Sequence, residues 1–314
     1  MEASSSGVKG SWKPEPACVE AYTTRAKRHK PAKDPPVAQQ DRSQTLDAPE
    51  TSALRWSSMW TTLRPLMRRL LGVARTPTYY LPWLGRPGLE CVLLLSNVES
   101  RFSPEFNRGP FAVTVTQYDA DGNIARRYAV SLADCAEAVE LRLESAPGEC
   151  GFAVVGGERL QSDLYVTLSD GKTYTATHGR GEFIETYPLR ARLALAAIGR
   201  FLALFGRALP AFVRDQYAYI GRDHQSHLLL MNLSNIPNRV RVAASGDGRL
   251  FGVRLIALPP MGSQLLDVRN LSPEAAGSTG VWRLRLEGNA WFNLYIVGAG
   301  ARGLAGPLSL MHVK

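Results

Sequence analysis

Residues able to do chemistry are few in this chain of 314 residues. His224 and His227 form an HxxH pair, with His178 and His312 as further imidazoles. Side chains three apart on a strand face opposite sides, so this spacing argues against a shared metal. Glu182 and Glu185 lie near His178 and offer an acid/base pair, but nothing in their spacing separates them from ordinary loop carboxylates. Asp119, Asp121 and Asn123 follow the opening of a calcium loop, yet Gly122 comes two positions early and no glutamate stands at the twelfth place. A hairpin turn accounts for them better. Cys18, Cys91, Cys135 and Cys150 show no CxxC spacing. Cys91 fits an apolar strand, and Cys135 with Cys150 would bridge only in an oxidising compartment. There is no GxSxG, P-loop, HExxH or dinucleotide fingerprint. The expectation is a protein that is not an enzyme and needs no cofactor or metal.

Binding chemistry has more material. Tyr79, Tyr80 and Trp83 precede Leu84-Gly85-Arg86, and Tyr217 with Tyr219 precede Ile220-Gly221-Arg222. Aromatic faces stack on sugars and arginine pairs with anions, so this duplicated arrangement is a candidate binding or packing feature. Edge packing of the aromatic residues is the alternative.

The elements that would position these residues come in two similar sets. Leu93-Leu94-Leu95-Ser96-Asn97 is echoed by Leu228-Leu229-Leu230-Met231-Asn232, and Asp163-Leu164-Tyr165-Val166 by Asn293-Leu294-Tyr295-Ile296. Short apolar or alternating runs joined by Gly and Asp turns predict antiparallel strands. The fold class expected is therefore mainly β, with two tandem antiparallel β-sandwich domains from an internal duplication, each preceded by an amphipathic α-helix. Boundaries follow from composition: a disordered basic tail over 1–53, a basic amphipathic helix over 54–77, a sandwich over 78–182, an apolar helix over 187–215, and a second sandwich over 216–314.

Both helices are unusual. In the first, Trp56, Met59, Trp60, Leu63, Leu66, Met67, Leu70, Leu71 and Ala74 keep helical spacing, while Arg64, Arg68, Arg69 and Arg75 take another face. In the second, apolar residues including Phe201 and Phe205 leave a narrow edge for Arg200, Arg207 and Arg214. Arginines near the centre of a span cost ~2.5–3.5 kcal/mol each on insertion scales, which excludes a clean transmembrane helix. Something must cover so apolar a surface: the two sandwiches, a membrane interface, or another copy of the chain.

The net charge is +9, from 37 Lys and Arg against 28 Asp and Glu, and it biases the chain toward anionic partners. Met1 to Gly10 carries no apolar stretch of the secretory kind, so the expected location is cytoplasmic, with peripheral attachment to a membrane. The function expected is an adaptor or scaffold docking on an anionic membrane surface or a protein assembly. A module for carbohydrate or another polyanionic glycan is the alternative, with nucleic acid disfavoured and a homo-oligomer compatible with either.

Overall fold

Valine, leucine, threonine and aromatic residues in runs cut by glycine and aspartate turns favour a pleated, half-buried backbone. They build a mainly β protein. The computed structural model describes residues 68–96, 111–132, 138–144, 148–157, 164–205, 209–246, 248–271 and 279–312. The expected tail and residues 54–67 of the first helix lie outside these.

The strands of the first half are β1 (Ala74–Leu84), β2 (Glu90–Ser96), β3 (Phe111–Tyr118), β4 (Ile124–Leu132), β5 (Ala138–Arg142), β6 (Cys150–Gly156), β7 (Tyr165–Ser169), β8 (Tyr174–His178) and β9 (Arg180–Thr186). Helix α1 (Leu189–Ala203) follows. Then come β10 (Phe212–Ile220), β11 (His224–Asn232), β12 (Asn238–Gly246), β13 (Arg249–Leu258), β14 (Ser263–Asp267), β15 (Gly280–Gly288), β16 (Phe292–Gly300) and β17 (Leu308–His312).

Four sheets result, and every ladder joining these strands is antiparallel. Sheet A has the order β4-β3-β6-β1-β9, sheet B β5-β2-β7-β8, sheet C β10-β15-β12-β13 and sheet D β14-β11-β16-β17. Adding nine to each strand number turns β4-β3-β6-β1 into β13-β12-β15-β10, and turns sheet B into sheet D. Only β9, on the edge of sheet A, lacks a counterpart.

Sheet D is buried on both faces. Leu228, Leu230, Leu294 and Ile296 join the core shared with sheet C. Their neighbours Leu229, Met231, Tyr295 and Val297 join the core built by sheets A and B. A continuous apolar run is what a strand covered on both sides requires, and this explains the unbroken Leu228–Met231 stretch. The turns lock the contact further: Ser263 donates its N–H to Ala120 O at 2.9 Å, joining the β3–β4 hairpin to the Pro259–Gly262 turn.

Three boundaries differ from the sequence expectation. The first helix does not run to residue 77, because it stops at Leu71 and β1 begins at Ala74. Gly72, at φ 66, closes it: Gly72 N–H donates to Arg69 O and Val73 N–H to Arg68 O, the paired bonds of a glycine-terminated helix. Tyr79, Tyr80 and Trp83 consequently lie within the first strand and not ahead of it. Helix α1 does not reach residue 215 either, since Phe212 opens β10. Pro210, just ahead of β10, cannot continue a helix. Arg214 is therefore a strand residue, outside the helical edge assigned to it with Arg200.

Candidate functional site

The residues of titratable chemistry are consumed by structure. Glu185, on β9, has no exposed surface and stands at the junction of the two halves. Arg68 Nη2 approaches its Oε1 to 2.6 Å, Arg75 Nη2 to 3.2 Å, and the Tyr187 hydroxyl donates to Oε2 at 2.7 Å. The Arg68 approach is an ion pair, and its Nε finds no hydrogen-bond acceptor among the described residues. Instead the Arg68 guanidinium lies 5.4 Å from the Phe212 ring centroid and 6.0 Å from that of Trp291. Burial pushes the Arg68 guanidinium below its ordinary pKa, and the Glu185 carboxylate beside it offsets part of that. Arg75 and Arg214 stack on the same indole at 5.9 and 5.1 Å. The backbone closes the junction: Glu185 N–H donates to Leu233 O, and Asn235 N–H to Glu185 O.

Polar residues of the Leu228–Asn235 stretch serve the same end. Asn232 donates through Nδ2 to Ile236 O and Pro259 O, Ser234 donates to Asn232 Oδ1, and Asn235 Oδ1 accepts the Tyr187 N–H. Glu182 pairs in register with Thr78, and three residues along a strand turn it away from Glu185. Among the described residues no group of three or more His, Cys, Asp or Glu side chains is placed to hold a metal. Asp119 accepts Asn123 N–H at 2.8 Å and caps its own hairpin turn. Cys91 is buried, which pushes its thiol up to about 12, and Cys150 is a free buried thiol. Cys135 lies outside the described residues.

His227 is buried beside Asp267, and its Nε2 has no hydrogen-bond partner. Burial lowers its pKa, Asp267 pulling the other way and Arg269 adding to the lowering. Stability that depends on the neutral ring is complete above the unfolded value near pH ~6.5. It is lost as pH falls through the lowered folded value, because the unfolded chain then binds more protons. A His227→Phe chain is expected to lose less Tm than the parent between about pH 7.5 and about pH 5.5. Equal losses would show that His227 does not set this slope.

The duplicated Gly-Arg motif is split by the fold. Tyr80 and Trp83 are buried, Tyr79 is partly buried, and Arg86 donates through Nη1 to Leu304 O and Gly306 O. Its Nη2 meets Asp170 Oδ2 at 3.4 Å. Asp170 also accepts Lys172 N–H, Thr173 N–H and the Thr173 hydroxyl, and these bonds hold its carboxyl down at about 2. Arg86 is thus a tie between the halves. Arg222 is exposed, and Tyr217 and Tyr219 are 63% and 53% exposed on the outer face of β10. Arg86→Ala is expected to cost about 1.5–3 kcal/mol, the range for hydrogen bonds made by a charged group, and Arg222→Ala less than about 0.5 kcal/mol. Urea denaturation of the two variants checks this, and equal midpoints would refute it.

The remaining site is helix α1. Its inward stripe is narrow: Ala191 and Gly199 are buried, and Ala191 packs with Tyr187, Ile236 and Ala290. Leu193, Phe201, Leu204 and Phe205 are 61–82% exposed, with Leu189 and Ile198 beside them. Of the three coverings open to this segment, burial between the sandwiches leaves most of its apolar side chains bare. The stripe is narrow because the neighbouring surface is made of loop residues and not of a sheet face. Arg190, Arg192 and Arg200 are exposed on the helix, which carries no acidic residue. Arg69 is exposed on the helical turn at 68–71, whereas Arg68 turns inward. Trp56, Trp60, Arg64 and Arg207 lie outside the described residues. Charge follows the same asymmetry, with fifteen Lys and Arg against six Asp and Glu over 188–314, equal to the whole net charge of +9.

No helix among the described residues is long and apolar enough to cross a membrane. A shallow cleft of 330 Å³ lies where β6 ends beside Thr78 and Glu182. It gathers no reactive set.

No family model matches the chain. No curated protein matches it. Among solved structures the chain is similar to vicilin from Capsicum annuum at 13% identity, over 77% of this chain and 79% of that one, with a TM-score of 0.15. A score so low carries no argument about fold or function.

Proposed function

We propose that this chain is a non-enzymatic adaptor, two copies of one β-sandwich module fused through sheet D, that docks on an anionic membrane surface through α1. The recurrence of strand order supports the duplication. The observation that carries the docking is the set of exposed apolar side chains on α1, interspersed with exposed arginines on a helix free of acid.

Magnitudes favour an interfacial helix. Fifteen residues make a helix of about 22 Å, shorter than the ~30 Å hydrocarbon core, so α1 lies on a bilayer and does not span it. Full burial of a large apolar side chain contributes about 1.5–3 kcal/mol. A third of that for six side chains gives about 3–6 kcal/mol, and each arginine near an anionic surface adds about 1 kcal/mol. Reversible attachment follows.

Flotation of the full chain with phosphatidylcholine vesicles, with and without about a third phosphatidylserine, tests this. Binding is expected to the anionic vesicles, to weaken in high salt, and to fall at least tenfold in a Leu193→Glu, Phe201→Glu variant that stays folded. The reading fails if the wild-type chain ignores anionic vesicles or if the variant binds equally. The glycan alternative retains only Tyr217, Tyr219 and Arg222 of its seven residues on an open surface, and is set aside on that ground.

A further inference from the structure

We propose that the chain assembles head to tail, the outer face of sheet C in one copy seating on the outer face of sheet B in the next. The proposal uses the recurrent strand order and a surface separate from α1.

The contact already exists once inside the molecule. The outer face of sheet A, with Tyr80, meets the outer face of sheet D, with Tyr295: the rings pack edge to face at 6.0 Å, and the Tyr295 hydroxyl donates to Tyr80 O at 3.5 Å. Cys150 and Leu265 meet across the same boundary. By strand order sheet C is the counterpart of sheet A, and sheet B the counterpart of sheet D. Each copy therefore leaves exposed, on sheets B and C, the same kinds of face that meet inside it. A contact between two different faces does not close on itself, so it can repeat from copy to copy.

Residue placement supports this. Tyr165, in β7, holds the position that Tyr295 holds in β16, and it is 41% exposed. Exposed Tyr217 and Tyr219 stand on β10, the counterpart of the strand that carries Tyr80. The charges are complementary as well. On the outer face of sheet C, Arg239, Arg241, Arg283 and Arg285 outnumber Asp215 and Glu287. On that of sheet B, Glu90 and Glu140 outnumber Arg142. The wider halves agree, with twelve Lys and Arg against fifteen Asp and Glu over 68–187, and fifteen against six over 188–314. Charged outer faces, as on the capping units of repeat proteins, make the contact reversible and sensitive to salt where the internal one is dry.

Sedimentation velocity of the full chain over a concentration series, at about 0.05 M and about 0.5 M salt, reads the assembly. The sedimentation coefficient is expected to rise with concentration at low salt and to revert to that of the monomer at high salt. Arg283→Glu, Arg285→Glu breaks one face and Glu90→Arg, Glu140→Arg the other, each with folding checked by circular dichroism. If the arginine variant unfolds, Tyr217→Ser, Tyr219→Ser replaces it. Each variant alone is expected to be a monomer, while an equimolar mixture assembles again, because the intact faces of the two variants match and their reversed faces are once more opposite in charge. The proposal is overturned by a wild-type chain that stays monomeric at low salt, by variants that still assemble alone, or by a mixture that does not assemble. Loss of assembly in the Leu193→Glu, Phe201→Glu chain overturns it too, by placing the contact on α1. So does a monomeric chain whose Arg283 face instead captures dextran sulfate, which would give that face to soluble polyanions.

Discussion

Glu185→Ala is expected to destabilise the protein by about 3–5 kcal/mol, the range for breaking one side of a buried ion pair. The carboxylate has no exposed surface and three donors converge on it. Removing it leaves Arg68, whose side chain is only 18% exposed, charged against Phe212 and Trp291 without its carboxylate partner. Arg75 is 34% exposed, so water screens it, and Arg75→Ala should cost no more than about 1 kcal/mol. The cost of Glu185→Ala comes from the charge it strands, because a buried pair and a well-packed apolar pair are often close in stability. A double variant, Arg68→Met with Glu185→Leu, should therefore recover most of the loss. Guanidinium denaturation of the three variants decides it. Similar midpoints for Glu185→Ala and Arg75→Ala would mean that the junction is held by its backbone bonds alone.

How much of this was legible beforehand depends on whether the deciding neighbour lies nearby in the sequence. The Leu228–Met231 run and its echo at Leu93–Leu95 are strands as expected, since an apolar stretch of that length bounded by turn residues states its own burial. The Asp119–Asn123 turn was likewise legible, because Asp119 bonds within its own hairpin. The first strand was hidden by the helical spacing running into it from Trp56, although Gly72 marks where that spacing stops. The repeated Gly-Arg looked like one feature in two copies. It is two features, because Arg86 finds carbonyls more than two hundred residues away, at Leu304 and Gly306, and Arg222 meets none of them. Glu185 passed for an ordinary loop carboxylate, as nothing within a few residues of it announces Arg68 or Arg75. Helix α1 showed its apolar surface in the sequence, but only the placement of Ile236 and Ala290 reveals how little of it is covered.

Gly122→Ala should be among the most damaging single methyl groups at the described glycines, at about 2–5 kcal/mol, and the reason lies across the junction. Gly122 has φ 82, a conformation that costs an L-residue roughly 1–2 kcal/mol. A Cβ there would stand 1.9 Å from Pro260 O and 3.1 Å from Met261 C, both backbone atoms of the opposing turn, so no side chain can swing away. Relief requires the β3–β4 hairpin to lift off the Pro259–Gly262 turn, which strains the Ser263 N–H to Ala120 O bond and opens well-packed surface. Overpacking of this kind typically costs another 1–3 kcal/mol, roughly the balance of the figure above. Gly171 supplies the control. It has φ 78 in the β7–β8 turn, with nothing within 4 Å of an added Cβ, so Gly171→Ala should cost the backbone share alone. Urea denaturation of the pair separates the two contributions, and a difference below about 0.5 kcal/mol would show that the hairpin yields to the methyl and does not bind the halves together.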